Sequence, residues 1–316
     1  MKIITTASLD LPKIIAGIGF FDGVHLGHQS LIKEIKSTSA QKGVSSAIVT
    51  FRRHPRSVLN SDYRPQLLNS FNEKMQHLSN TGVDYAIALD FDIAMSKMSG
   101  YDFIKYLRDK YNLVGLYIGY DHKFGHNRSD NFEDYQRYGA ELGVEIYRAG
   151  VALAGTTPIS SSAIRRFLKE GGVDVANSML SYPYTLCGKV VSGYGVGRTI
   201  GFKTANIEIE DLDKLIPSNG AYAVYVKTSD GVIRKGMMNI GNRPTVHDNT
   251  ERTIEVHIFD FEGDIYETDI EIILEKFMRP ERKMSGLDEL KCQLEEDAQR
   301  AKEILNRDKT NSKWSR

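Results

Sequence analysis

The stretch GIGFFDGVHLGH, residues 17–28, decides how the chain is read. An apolar run, KIIAGIGFF (13–21), leads into an Asp22-Gly23 turn, and His25 and His28 follow, three apart around Gly27. The run reads as a strand ended by a turn signal, and the segment after it, 28–41, has helical spacing. A glycine-bearing turn that opens a helix presents backbone N–H groups to an anion, and the helix dipole favours negative charge there. His25 and His28 add hydrogen bonds, and positive charge when protonated. The spacing predicts a triphosphate-binding helix start, with Gly27 letting the phosphates approach the backbone. The bland alternative is a turn carrying two surface histidines.

Working outward, the same texture repeats through the first half. Apolar runs at 13–21, 44–51, 83–89, 113–119 and 144–147 alternate with helically spaced segments at 28–41, 71–80, 100–111 and 131–142. Strands separated by helices of ten or more residues predict an α/β domain with a parallel sheet, whose ligands lie at the carboxyl ends of the strands. From about residue 185 the pattern changes. Segments 185–192, 220–228, 232–240, 253–259 and 265–275 are strand-like, with turn signals such as Ser229-Asp230-Gly231 between them. Five or six strands without intervening helices predict a small antiparallel β-barrel. A last helix over about 286–306 carries Leu287, Leu290, Leu294, Ala298, Ala301 and Leu305 near helical spacing. With a proline-bearing junction at 181–185, the expected domains are 1–183 and 184–308, followed by a polar tail, 309–316.

Composition narrows the function. Lys plus Arg and Asp plus Glu both total 41 in 316 residues, so the formal net charge is zero. That argues against a nucleic-acid-coating protein and leaves room for a local anion site. Cys187 and Cys292 have no metal-type spacing, and a reducing cytoplasm is the simpler expectation. The N-terminus lacks the apolar core of a secretory signal, and no run is long enough to span a bilayer, so no membrane partner is expected. Oligomeric state is left open; a weak homo-oligomer is compatible with the sequence.

Three further stretches fall at predicted strand ends or helix starts of the first half. TFRRHP (50–55) clusters Arg52, Arg53 and His54, with Arg56 beside them. IGYDHKFGHNRSD (118–130) brings Asp121, Lys123, His126 and Arg128 to the ligand edge. ISSSAIR (159–165) opens a helix whose serines, Ser160, Ser161 or Ser162, can cap it, with Arg165 one turn on as a phosphate clamp. In the second half, GYGVGRTIGFKTAN (193–206) carries a loop with Gly193, Gly195, Gly197 and Arg198. It is not a Walker loop, because no GK[ST] follows. Thr204 and Asn206 offer neutral oxygens suited to a hard cation already carrying phosphate. On 253–259, Ile254, Val256 and Ile258 share one face and Glu255 and His257 the other. The bland readings are a mobile hairpin and the wet face of an ordinary strand.

Together these stretches resemble the bifunctional bacterial riboflavin kinase/FAD synthetases over about 10–306. GFFDGVHLGH, FRRHP, GYDHKFGHNRSD and ISSSAIR are similar to the four motifs of the adenylyltransferase module, and GYGVGR, GFKTAN, NIGNRPT (239–245) and Glu255-Val256-His257 to those of the kinase module. The resemblance implies a Rossmann-like nucleotidyltransferase sheet and a riboflavin-kinase-type barrel with a terminal helix. In the first module it implies ATP contacts at Gly19, Phe20, Asp22, His25, His28, Asp121, Arg128, Ser161 and Arg165, with His28 catalytic. In the second it implies nucleotide contacts at Gly193, Gly195, Gly197, Arg198, Thr204 and Asn206. Thr204 and Asn206 would hold Mg²⁺, and Glu255 would be the general base toward the riboflavin 5′-hydroxyl. Arg243 and Arg279 are cationic candidates near the flavin, or else structural ion-pair partners. The implied substrates and products are ATP, riboflavin, FMN and FAD. The chain departs from the family pattern at Arg53 and Lys203, where proline is usual, at His122, where an aromatic residue is more common, and at Ser162, where threonine is common. Asp121 stands where asparagine can occur.

Other classes are compatible with part of this pattern. An adenylyltransferase for a nicotinamide or pantetheine nucleotide shares the HxGH turn but not the barrel. A class I aminoacyl-tRNA synthetase is disfavoured by zero net charge and by the want of a KMSKS-like stretch, AMSKMSG (94–100) being a superficial echo. A flavin-binding or regulatory protein with a decayed kinase module draws on Lys203.

Overall fold

Short runs of β-branched and small apolar residues build a parallel sheet from Lys2–Ile4 (β1), Ile14–Ile18 (β2), Ser45–Phe51 (β3), Tyr85–Leu89 (β4), Leu113–Ile118 (β5) and Glu145–Arg148 (β6). The computed structural model describes residues 1–6, 11–119, 124–126, 130–150, 153–154, 157–192, 200–244 and 250–307. They fall in two compact units, Met1–Ser161 and Ser162–Arg316. The strand order is β1-β4-β3-β2-β5-β6, with every pairing parallel.

From β2 to β6 consecutive strands are joined through helices: Leu26–Lys42 (α1), Phe71–Asn80 (α3), Gly100–Tyr111 (α5) and Phe132–Leu142 (α6), with short Pro55–Leu59 (α2) and Ile93–Ser96 (α4) in the loops. Their ends are set by local chemistry. Ser70 with Glu73, and Asn131 with Asp134, form capping boxes on α3 and α6. Gly43 and Gly143 close α1 and α6 in the left-handed conformation. Both faces of the sheet are covered, so β2 is buried throughout: Ile14, Ala16 and Ile18 join one core cluster and Ile15 the other. Each such isoleucine contributes roughly 1.5–3 kcal/mol by leaving water.

The chain runs from β2 outward through β3 and β4, then returns to place β5 on the other side of β2. The direction of winding therefore reverses between β2 and β5, which places the ligand crevice at their carboxyl ends. The β2 exit is the 17–28 stretch. A small hairpin, Leu153–Ala154 (β7) with Thr157–Pro158 (β8), precedes the end of this unit.

The second unit takes in Ser161–Lys169 (α7), apart from its first residue, and Val173–Leu180 (α8), then a closed barrel of Thr185–Val191 (β9), Ala205–Glu208 (β10), Gly220–Lys227 (β11), Ile233–Pro244 (β12), Thr250–Ile258 (β13) and Asp269–Pro280 (β14). Strand order is β10-β13-β12-β11-β14-β9, all antiparallel. Ile254, Val256 and Ile258 are buried, while Glu255 and His257 are only partly so, as the period-two reading of 253–259 requires. Outside the barrel lies Leu287–Arg307 (α9). Ala301 and Leu305 pack with Ala221, Ala223, Met237 and Met278. The buried stripe of α9 differs from the apolar one read from sequence: Leu287 is exposed, whereas Gln293 and Asp297 are buried.

Candidate active sites

Three backbone positions with positive φ shape the turn that follows β2: Phe21 at 55°, Gly23 at 82° and Val24 at 35°. Glycine accepts this region freely, whereas a β-branched valine there is strained. The strain is held by contacts. Gln29 donates to the Val24 carbonyl at 2.9 Å, and Ser161 Oγ donates to the Asp22 carbonyl at 2.8 Å. The Asp22 carboxylate is buried and accepts from the backbone N–H groups of Leu68 (3.0 Å) and Asn69 (3.2 Å), just ahead of α3. Asp22 thus braces the turn against the start of α3.

His25 caps α1, its Nδ1 accepting the His28 N–H at 3.3 Å. The two imidazoles stack with centroids 3.6 Å apart and planes 18° apart, and Phe21 lies 5.0 Å from His28. Burial, then the neighbouring His25 and Lys74, lowers the His28 pKa well below 6.5. In the free protein the ring is therefore neutral at pH 7 and offers hydrogen bonding rather than charge. Its Nδ1 is buried without a hydrogen-bond partner. An unsatisfied buried ring nitrogen is costly unless something arrives to use it. Gly27 also has a role beyond the one expected. A Cβ there would lie 3.1 Å from the His25 ring and 3.2 Å from the Ile159 carbonyl oxygen, so the glycine makes room for the protein's own packing.

Phe20 and Gly19 lead into this turn. The Phe20 ring meets His54 edge-on at 4.9 Å and carries the Lys74 ammonium 4.1 Å from its centroid. The arginine cluster at 52–56 is locally engaged: His54 caps α2, Arg52 pairs with Asp90 at 3.6 Å, and Arg56 lies over Tyr63. Arg53 lines a shallow depression with Val58, Phe91 and Ile93. Phe124 is pinned by Tyr135, whose hydroxyl donates to its carbonyl at 2.8 Å, and His126 N–H donates to the Met98 carbonyl at 2.8 Å. Asp121 and Arg128 lie outside the described residues. Arg165 lies in the second unit on α7, sharing a surface depression with Ser162, Arg166 and Lys169.

In the barrel, register does what sequence spacing could not. Asn206 on β10 is the cross-strand partner of Glu255 on β13, and Glu255 is in turn the partner of Asn239 on β12. Cross-strand partners share a face. The row continues through Ala221 on β11 to Arg279 on β14. Thr204 Oγ1 lies 3.4 Å from Glu255 Oε2. The structure thus brings Glu255, remote in the chain, to Thr204 and Asn206, and adds Asn239. The sequence reading missed Asn239, although it opens the NIGNRPT stretch. His257, on the same face as Glu255, bonds through Nδ1 to the Lys203 carbonyl at 2.7 Å; a carbonyl only accepts, so Nδ1 carries the proton. Gly193, Gly195, Gly197 and Arg198 lie outside the described residues, and Arg243 is placed on β12 in register with Glu251. Arg279 has a partner other than flavin here: its guanidinium makes a bidentate pair with the Asp297 carboxylate at 2.9 and 2.7 Å, joining β14 to α9.

Among the described residues no three His, Cys, Asp or Glu side chains converge to hold a metal. The hydroxyl, amide and carboxylate oxygens of Thr204, Asn206 and Glu255 form a hard donor set, too few for a cage and suited to an ion that keeps phosphate and water ligands.

A family model for FAD synthetase matches residues 8–163, and one for riboflavin kinase matches residues 180–305. A bifunctional riboflavin kinase/FMN adenylyltransferase of Listeria monocytogenes is 39% identical over 304 residues, covering 94% of each chain. The chain belongs to the bifunctional riboflavin kinase/FMN adenylyltransferase family. A member of this family from Escherichia coli is 34% identical, covering 91% of each chain. A solved Streptococcus pneumoniae structure described as a macrolide-efflux protein shares the architecture, with a TM-score of 0.85 at 27% identity over 96% of this chain and 99% of that one. In the family member described here, no helix among the described residues is long and apolar enough to cross a membrane.

Proposed function

We infer that this chain carries out two consecutive reactions: ATP phosphorylates riboflavin to FMN, and a second ATP adenylylates FMN to FAD with release of pyrophosphate. The observation that carries the reading is that each of the two matched family regions holds its own cluster of functional side chains, His25 with His28 in one and Thr204, Asn206 and Glu255 in the other.

In the kinase half, Glu255 takes the proton of the riboflavin 5′-hydroxyl as its oxygen bonds to the γ-phosphorus of ATP and the bond to ADP breaks. A primary alcohol is a poor nucleophile, and a carboxylate within hydrogen-bond reach contributes about 10²–10⁴-fold. Thr204 and Asn206 hold Mg²⁺, which supplies charge neutralisation on the phosphates. Nucleotide contacts are assigned to Gly193, Gly195, Gly197 and Arg198 and a flavin contact to Arg243, with Arg279 the structural ion-pair partner of Asp297. In the adenylyl half, an FMN phosphate oxygen attacks the α-phosphorus and pyrophosphate leaves. The nucleophile is already ionised, so positioning and electrostatics suffice. The α1 N-terminus, His25 and His28 receive the leaving charge, and the unpartnered Nδ1 of His28 is a ready contact for it. ATP contacts are also assigned to Gly19, Phe20, Asp22, Asp121, Arg128, Ser161 and Arg165. Functional boundaries at 1–183 and 184–308, cytoplasmic location and small-molecule partners belong to the same reading, which is compatible with a weak homo-oligomer.

The alternative, an adenylyltransferase with a decayed kinase module, rests on Lys203 in place of proline. His257 supports the active kinase instead, because it fixes the Lys203 carbonyl from across the strand. Purified protein with riboflavin, ATP and Mg²⁺ should yield both FMN and FAD on chromatography. Glu255→Gln should cut FMN formation by about 10²-fold or more while FMN-to-FAD conversion continues; His28→Ala should do the reverse. If either change removes both activities from a folded protein, the assignment of separate sites fails.

A further inference from the structure

Lys74 belongs to none of the sequence motifs, yet it is only 3% exposed at the mouth of the first site. It projects from α3, whose start is fixed by the Ser70–Glu73 capping box. Its Nζ donates to the Phe20 carbonyl at 3.2 Å, the Phe51 carbonyl at 2.9 Å and Thr50 Oγ1 at 3.2 Å. An ammonium has three protons, and these three acceptors can use all of them. Phe20 follows β2, and Phe51 ends β3. One buried cation therefore ties the carboxyl ends of two adjacent strands, directly beneath the turn that leads to His25 and His28.

The tie is matched by one in the opposite direction. The Asp22 carboxylate takes N–H groups just before α3, while the α3 lysine takes the carbonyl two residues before Asp22. The turn and α3 thus hold each other at both ends. Burying an ammonium is expensive. A methionine could fill most of this volume without that cost, but it could not hold three oxygens or place a charge beside the turn.

We propose that Lys74 is a positioning residue for adenylyl transfer: its ammonium fixes the Phe20–Asp22 end of β2 against β3, so that the His25–His28 pair meets the triphosphate in one geometry. The proposal rests on placing adenylyl transfer at the His25–His28 turn. Asp22 is the charged group acting on Lys74, and His25 and Lys74 are those acting on His28. Arg52 also approaches, sharing the Phe71 ring with Lys74. Burial brings the Lys74 pKa down to about 8. The ammonium persists at neutral pH and is lost just above it, taking one donor and the cation with it.

The test uses the full chain and four measurements: FMN adenylylation with kcat and ATP KM, riboflavin phosphorylation in the same preparation, the pH profile of each, and an NMR titration of the His28 imidazole. Wild type should show an alkaline limb near pH 8 in adenylylation alone. Lys74→Met should lower adenylylation kcat by at least about 10-fold, leave phosphorylation unchanged and abolish that limb. The His28 midpoint should rise, because a neighbouring positive charge has been removed. A purely structural lysine would shift the His28 midpoint as well, but would leave the adenylylation kcat and the alkaline limb where they are. A Met variant with wild-type kcat overturns the proposal. Should that variant fail to fold, the wild-type profile decides, and a flat alkaline side overturns it. If His28→Ala keeps full adenylylation, the placement of the reaction is what fails; if His28→Ala is inactive while Lys74→Met is unaffected, only the role of Lys74 fails.

Discussion

His28 is a neutral, half-buried ring whose Nδ1 is buried and unsatisfied, and this has a thermodynamic signature. Its pKa is lowered in the folded protein by burial, His25 and Lys74, relative to an unfolded value of 6.5. Between those two values the unfolded chain binds more protons, so stability rises with pH there; it is fully present above pH 6.5 and is lost as pH falls below it. Urea midpoints should therefore drop more between pH 7 and pH 5 for wild type than for His28→Asn. Equal drops in both would show that the ring is solvated. The histidine pair was legible from HxGH, because the motif's spacing and its place after an apolar run carry chemical meaning. Its neutral state and the packing reason for Gly27 were not, since they depend in part on Lys74 and Ile159, remote in sequence. Lys74 was illegible for a related reason. A lysine at a helical position ordinarily reads as solvent-facing, and only the tertiary fold reveals the three oxygens waiting for it.

Long periodic elements were readable to within a few residues: the strands at 45–51 and 113–118 and the helices at 71–80 and 100–111 lie where their apolar spacing predicts. The elements that were not foreseen are short ones whose pairing is decided by their neighbours. β1 is three residues beside β4, and β10 contains Ala205 and Asn206, which have little strand propensity of their own. β10 becomes a strand because β9 and β13 flank it. Its approach is fixed by His257, which packs with Phe202 and Phe259 and bonds the Lys203 carbonyl. That bond restrains the backbone at 203, where a proline's fixed φ is absent. His257→Ala should reduce riboflavin phosphorylation by roughly 10-fold or more, through misplacement of Thr204. FMN adenylylation should be unaffected. An undiminished phosphorylation rate would mean that Thr204 is held by other means.

At the scale of the whole chain, two units of different architecture follow one another, an alternation of strands and helices and then a closed antiparallel barrel. That division was legible from the change of texture near residue 185. The structural division, however, falls between Ser161 and Ser162, because α8 belongs to the barrel unit. Asn177 ties the two together, donating to the Leu274 carbonyl at 2.9 Å and accepting the Tyr184 N–H at 2.8 Å. Val173, Ala176, Met179 and Leu180 are buried. No periodicity reveals which neighbour a short amphipathic helix will choose. A fragment beginning at residue 162 should therefore melt above one beginning at 184, by roughly 2–4 °C per kcal/mol for a unit near 150 residues. Identical melting would show that α8 adds nothing to the barrel.

The closure of the barrel has a consequence of its own. β10 is in register with β13 at two positions and with β9 at three, against eight for β11 with β12. At a net gain of about 1 kcal/mol per backbone hydrogen bond, this is the thinnest seam in the wall. The stave that carries Asn206, and that Thr204 immediately precedes, is thus the one whose fraying costs least. A ligand bridging it to Glu255 would act as a rivet, so that loading the kinase site and sealing the barrel become a single event.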